Sequence, residues 1–236
     1  MKKSIGILGG TNYLSTILYY QYLNENYQAR FGGSHSCPLH IHSIDYHDIK
    51  TRYSSPSGWE QIPELLNHEI EILLRSQPSC IIIANNTLHK AFDLLGDKIK
   101  LPVPLLHAVT LAKQEALACN YKKILLMGTR FTMEDDYFKV PLASSGIEVM
   151  VPNQLERDEI HAIHAELASG KHTNAHIEFF SELSSRYSHL DAFIIACTEL
   201  PLILNHIKLE VPIIDSMKLQ CEKALQIFDY KTAPNP

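Results

Sequence analysis

Paired cysteines are missing from this sequence. The five at positions 37, 80, 119, 197 and 221 are scattered and odd in number, which argues against a disulfide framework and fits a reducing, cytoplasmic setting. An excess of positive charge is missing too. Lys plus Arg number 21 against 26 Asp plus Glu, a formal net charge of −5, which leaves no broad basic surface for a phosphate backbone and excludes nucleic acid as a partner. Long apolar runs are also lacking. The run in MKKSIGILGG stops at two glycines after about five residues, too short for a signal-peptide core or a membrane span. It is expected to be a first strand.

What is there suits an α/β protein. A chain of 236 residues with 45% hydrophobic content fits one large or two small domains with a substantial core. SIGILGG is a short apolar run ending in glycines, and LSTILYYQYLNENYQARF after it carries apolar residues at helical spacing. LHIHSID reads as a second strand, and a helix is expected around residues 63–75. SCIIIANN reads as a fully buried strand, because uninterrupted apolar runs suit a parallel sheet covered on both faces.

The pattern then repeats. KKILLMGTRFTMEDDYF is again strand, glycine turn and helix, and IEVMVP is again a second strand. The strongest internal match pairs IIIANNTL and IKLPVPLLH with FIIACTEL and IKLEVPIID, so that Asn85 and Cys197 end equivalent strands 112 residues apart (197 − 85). The expectation is two similar Rossmann-like domains with parallel sheets, related by an internal pseudo-repeat. The first takes 1–109 plus 214–236 and the second 110–213, with a short crossover near residues 108–113 and a KTAPNP tail that frays. Ligands of such sheets sit beyond the carboxyl ends of the strands. That rule gathers residues 9–11, 85–87, 128–130 and 197–199 around an interdomain cleft.

Other motifs are weaker. GILGGTN lacks the full G-x-G-x-x-G spacing, and Asp45 comes too late for a ribose partner. His40, His42 and His47, and the helical pair His161 and His164, lack a third ligand and the H-E-x-x-H order, so they read as surface histidines and no metal site is expected. GTRFTM is neither a Walker loop nor a nucleophile elbow and reads as an anion-holding turn.

Four segments in order, GILGGTNYLSTILYY, NNTLHK, GTRFTM and ACTEL, together with the repeat, make the chain similar to the aspartate/glutamate racemase superfamily over about its whole length. The pattern most resembles the broad-specificity amino-acid racemase branch. The resemblance implies a cofactor-independent racemase in which one residue takes the α-proton and another returns one from the opposite face. Cys197 matches the second-half cysteine of that pair. Asn86 and Thr87 match the residues that bind the α-carboxylate, helped by Thr198 and by amides at a helix start. Gly10, Thr11 and Thr129 fall in the substrate-binding loops. Relatives are commonly dimers, which implies a homodimer; the implied partner is a small amino acid or dicarboxylate, with neither membrane nor nucleic acid involved.

One position departs from the family. Asn85 stands where most members carry the first cysteine and some a threonine, and an amide does not titrate near neutrality. It can hydrogen-bond a carboxylate or position a water but is no general base, so the two-thiol mechanism is excluded and impaired activity is expected. An unperturbed thiol ionises near pH 8.5, roughly, and a helix start after Cys197 is expected to lower that. Glu199 reads as orienting the thiol or meeting the substrate's amino group, and equally as a carboxylate complementing a helix dipole. Arg52 and Lys171 fall near positions where relatives with acidic substrates place a basic residue, and read equally as solvated charges. Two rival activities remain open: single-cysteine decarboxylation or isomerisation on the same scaffold, and silent carboxylate binding.

Overall fold

The structure is a computed structural model that describes residues 3–54, 57–167 and 169–229; the KTAPNP tail lies outside the described residues. The chain forms two compact units, dividing after His107 and again after Leu219.

In the first unit β1 (Ile5–Gly9) leads through α1 (Tyr13–Phe31) to β2 (Leu39–Ser43), then through α2 (His47–Lys50) and α3 (Gly58–Leu74) to β3 (Cys80–Ile83) and α4 (Thr87–Leu95). All pairing is parallel, in the order β2-β1-β3. The second unit runs α5 (Ala108–Ala118), β4 (Lys123–Gly128), α6 (Arg130–Glu134), α7 (Asp136–Ala143), β5 (Glu148–Met150), α8 (Gln154–Leu167), α9 (Asn174–Arg186), β6 (Ala192–Ala196), α10 (Pro201–Leu204) and β7 (Ile213–Asp215). Its parallel sheet has the order β5-β4-β6-β7. Because β7 pairs with β6, the second division falls inside α11 (Ser216–Asp229).

The uninterrupted apolar runs have the expected cause. Leu125, Phe193 and Ile195 point into a core with Ile160 and Ile163 of α8 and Phe180 and Leu183 of α9. Their strand neighbours Ile124, Leu126 and Ile194 pack on the other face with Val109 and Ala112 of α5 and Phe138 and Leu142 of α7. Both faces are covered, so alternation has no place in these strands.

The internal repeat holds at the level of register. Ile81 pairs with Leu105 in an isolated parallel bridge, and Phe193 pairs with Ile213 between β6 and β7. These are the same positions of the two sequence copies, and in each the amide of the first residue donates across 2.9 Å to a proline carbonyl, Pro104 in one and Pro212 in the other.

Two expectations are corrected. The helix expected at residue 63 starts at Gly58, because a turn begins where the backbone packs on Arg52: a Cβ at Gly58 would lie 1.7 Å from the Arg52 carbonyl oxygen. Residues 108–113 form the first turns of α5 rather than a crossover loop, and Ala108, Val109 and Ala112 are buried there.

Candidate active site

The first unit presents the loops after β1 and β3. Gly9 and Gly10 let the chain turn sharply: Gly10 has φ +87°, and a Cβ there would lie 2.3 Å from the Ile44 carbonyl oxygen. Its amide donates to Thr16 Oγ1 (2.9 Å). Thr11 donates its hydroxyl to the Ala84 carbonyl (3.1 Å), which ties this loop to the end of β3. Asn85 follows, and its Oδ1 accepts the Leu88 amide (2.9 Å), as an asparagine does when it caps a helix start. The Tyr46 phenol faces the Asn85 side chain. That phenol bonds Tyr53 (2.6 Å), and burial pushes its pKa up to about 12, which Tyr53 and Asn85 lower only slightly. Asn86 and Thr87 are buried beside it.

In the second unit Cys197 ends β6, with 4% of its surface exposed, and its thiol donates to Glu199 Oε2 (3.1 Å). The same oxygen accepts the Thr198 hydroxyl (2.8 Å) and lies 3.4 Å from His164 Nε2 on α8. Glu199 precedes the four-residue α10 and its carboxylate is engaged by three side chains. It is therefore no surface complement to a helix dipole.

Burial works against the Glu199 charge, but the hydrogen bond and charge of His164, then the bonds from Cys197 and Thr198, outweigh it and hold the carboxyl well below the usual carboxylate range. The thiol moves the other way. Burial first, then the charge and hydrogen bond of Glu199, push Cys197 well above its ordinary value, and the amides of Glu199 and Leu200 offset this only in part. The lowered thiol pKa expected from a helix start is thus corrected: the resting group is a neutral thiol beside a fixed carboxylate.

The two strand ends remain equivalent in detail. The Leu200 amide, three residues after Cys197, favours the thiolate, and the Leu88 amide, three residues after Asn85, donates to Asn85 Oδ1 (2.9 Å).

The remaining sequence candidates have local partners. Thr129 caps α6, its Oγ1 accepting the Thr132 amide (3.3 Å) and bonding Thr132 Oγ1 (3.1 Å). Arg52 donates to the Asp48 carbonyl and to Gln61 Oε1 (3.2 Å). Lys171 is exposed, its amide donating to the Glu166 carbonyl (3.0 Å). The sequence reading missed His164. It is not a free surface histidine but a half-buried partner of Glu199, and together with Cys197 it presents donor atoms within 4.8 Å of one another that could hold a metal ion. Its only sequence signal was the apolar spacing of Ile160, Ile163 and Leu167, which fixes the buried side of α8 and leaves His164 at its margin.

Among the described residues no helix is long and apolar enough to cross a membrane. Comparison with known proteins gives a consistent result. Residues 8–224 match the sequence family described as Asp/Glu/Hydantoin racemase. The broad specificity amino-acid racemase RacX of Bacillus subtilis (strain 168) is 26% identical over 215 residues, 90% of this chain and 92% of that protein. The crystal structure of an aspartate racemase homologue from Pyrococcus horikoshii OT3 superposes with a TM-score of 0.80 at 33% identity, covering 97% of this chain and 100% of that one. The aspartate racemase of Picrophilus torridus shares the fold at 20% identity, with a TM-score of 0.78 over 96% of this chain and 94% of that one.

Proposed function

The chain belongs to the Asp/Glu/hydantoin racemase family, and from that premise we propose that it is a cofactor-independent amino-acid racemase acting on aspartate, glutamate or a related small amino acid, with Cys197 as its main acid/base group. The observation that carries this reading is the bond from the Cys197 thiol to Glu199. A neutral thiol suits the half-reaction that delivers a proton to a carbanion. For the reverse half-reaction the thiol must ionise, and Glu199 opposes that until a positive charge offsets it. The ammonium group of an amino-acid substrate supplies such a charge, so in this reading substrate binding itself prepares the base. Asn86, Thr87 and Thr198 hold the α-carboxylate. Gly10, Thr11 and Thr129 shape the loops around it, and Arg52 and Lys171 are the cations for a distal carboxylate. Asn85 does not titrate near neutrality and leaves the enzyme unequal towards the two enantiomers. Homodimeric assembly and cytoplasmic residence belong to the same reading, supported by the resemblance and by five free cysteines.

The test is α-proton exchange in deuterated water across the common amino acids. Exchange that disappears in Cys197→Ala while substrate binding survives supports the enzyme. No exchange with any amino acid, in a protein that still binds dicarboxylates, would replace it by a carboxylate-binding protein.

A further inference from the structure

We propose that His164, Cys197 and Glu199 form a site for one borderline-soft divalent cation of the Zn2+ class, and that its occupancy silences the Cys197 thiol. The donor set is one imidazole nitrogen, one sulfur and one carboxylate oxygen, all within 4.8 Å of one another. Thiolate and imidazole together favour Zn2+ and Co2+ over Mg2+ or Ca2+, which take oxygen ligands.

The geometry is close to what such an ion requires. With zinc bonds of about 2.0–2.3 Å, tetrahedral ligands stand roughly 3.3–3.6 Å apart. Here Sγ lies 3.1 Å and Nε2 3.4 Å from the shared Glu199 Oε2, and the whole set falls within 4.8 Å, so Sγ and Nε2 close towards each other by side-chain rotation to admit the ion. As the zinc–sulfur and zinc–nitrogen bonds form, the S–H bond of Cys197 and the Nε2–H bond of a charged His164 break, and both protons leave to solvent. The Thr198 hydroxyl, 2.8 Å from Oε2, already fixes the carboxylate's orientation, the outer-shell support that metal-bound carboxylates require. Three protein ligands leave a fourth position for water or a ligand carboxylate. The His164 side chain, 21% exposed beside a Cys197 of 4% exposure, is the side from which an ion reaches the thiol.

The site and its consequence separate cleanly: metal binding stands on the geometry alone, while inhibition rests on the racemase reading. The experiment titrates the full chain with Zn2+, and in parallel Co2+ and Mg2+, by calorimetry and absorbance. It is done in a Cys119→Ser background, because Cys119 is exposed and has Glu115 3.5 Å away. The expected result is one equivalent of Zn2+, no Mg2+ binding, and a thiolate-to-cobalt charge-transfer band that is absent in Cys197→Ser. Thr198→Val should weaken Zn2+ binding roughly 10- to 100-fold, with His164→Ala weakening it further and far-UV circular dichroism confirming that each variant is folded. Failure to bind Zn2+ at millimolar concentration, a cobalt spectrum without the thiolate band, or unchanged affinity in folded Cys197→Ser or His164→Ala would overturn the proposal. With the site occupied, α-proton exchange should stop and return on chelation. If the metal binds but the metal-free protein exchanges no amino acid, the racemase reading fails and the site stands.

Discussion

The thiol of Cys197 and the carboxylate of Glu199 are hydrogen-bonded across 3.1 Å, and both side chains are almost wholly buried. A neutral acid is thereby held against a permanent negative charge. Glu199→Gln removes that charge and leaves the burial in place, so the Cys197 pKa should fall. Mass-resolved alkylation of Cys197 against pH reads this directly: the rise in rate should move to lower pH in the variant. An unmoved profile would mean that burial alone sets the thiol.

His89 is 0% exposed, and burial, followed by the charge of His107, holds its pKa well below 6.5. The sign follows from linkage. A group whose folded pKa is depressed contributes stability that is present above its unfolded value and is lost as pH falls through its folded value. Unfolding by urea should therefore require less denaturant below pH 6.5, by up to about 1.4 kcal/mol per pH unit for this one group. His89→Gln should flatten that dependence. A slope equal in variant and wild type would place the acid sensitivity elsewhere.

Asn85 accepts the Leu88 amide at the strand end equivalent to that of Cys197. A thiol at residue 85 adds a titratable acid/base group on that face, so Asn85→Cys should raise racemisation roughly 10²- to 10⁴-fold. The wild type should meanwhile wash out the α-proton of one enantiomer faster than it racemises. Equal exchange of both enantiomers by the wild type contradicts a one-base enzyme.

Gly10 sits at φ +87°, and a Cβ there meets the Ile44 backbone at 2.3 Å. Gly10→Ala should cost about 1–3 kcal/mol of stability, measured by chemical denaturation. A variant as stable as the wild type would show that the loop after β1 relaxes freely.

Much of the scaffold was legible because its signals are local. Runs such as CIII and AFIIA are apolar without alternation, which only a sheet covered on both faces accepts. The matched IKLPVPLLH and IKLEVPIID segments marked the repeat, and folding gives both the equivalent parallel pairing. Pro63 is a local signal for a helix start, whereas the earlier start of α3 at Gly58 depends on the close approach of Gly58 to Arg52, which only folding sets.

The sequence by itself determined the two parallel α/β sheets, the repeat, the strand ends at Asn85 and Cys197, and the absence of a titrating group at residue 85. Tertiary structure alone decided the chemistry around the thiol. His164 is 35 residues from Glu199 in the chain (199 − 164), and only the packing of α8 beside β6 brings its imidazole to 3.4 Å from the carboxylate. The direction of the Cys197 shift likewise required burial and a carboxylate at 3.1 Å to be weighed against two backbone amides. Spacing records neither quantity, because the free energy of a charge depends on the solvent and partners that surround it in three dimensions.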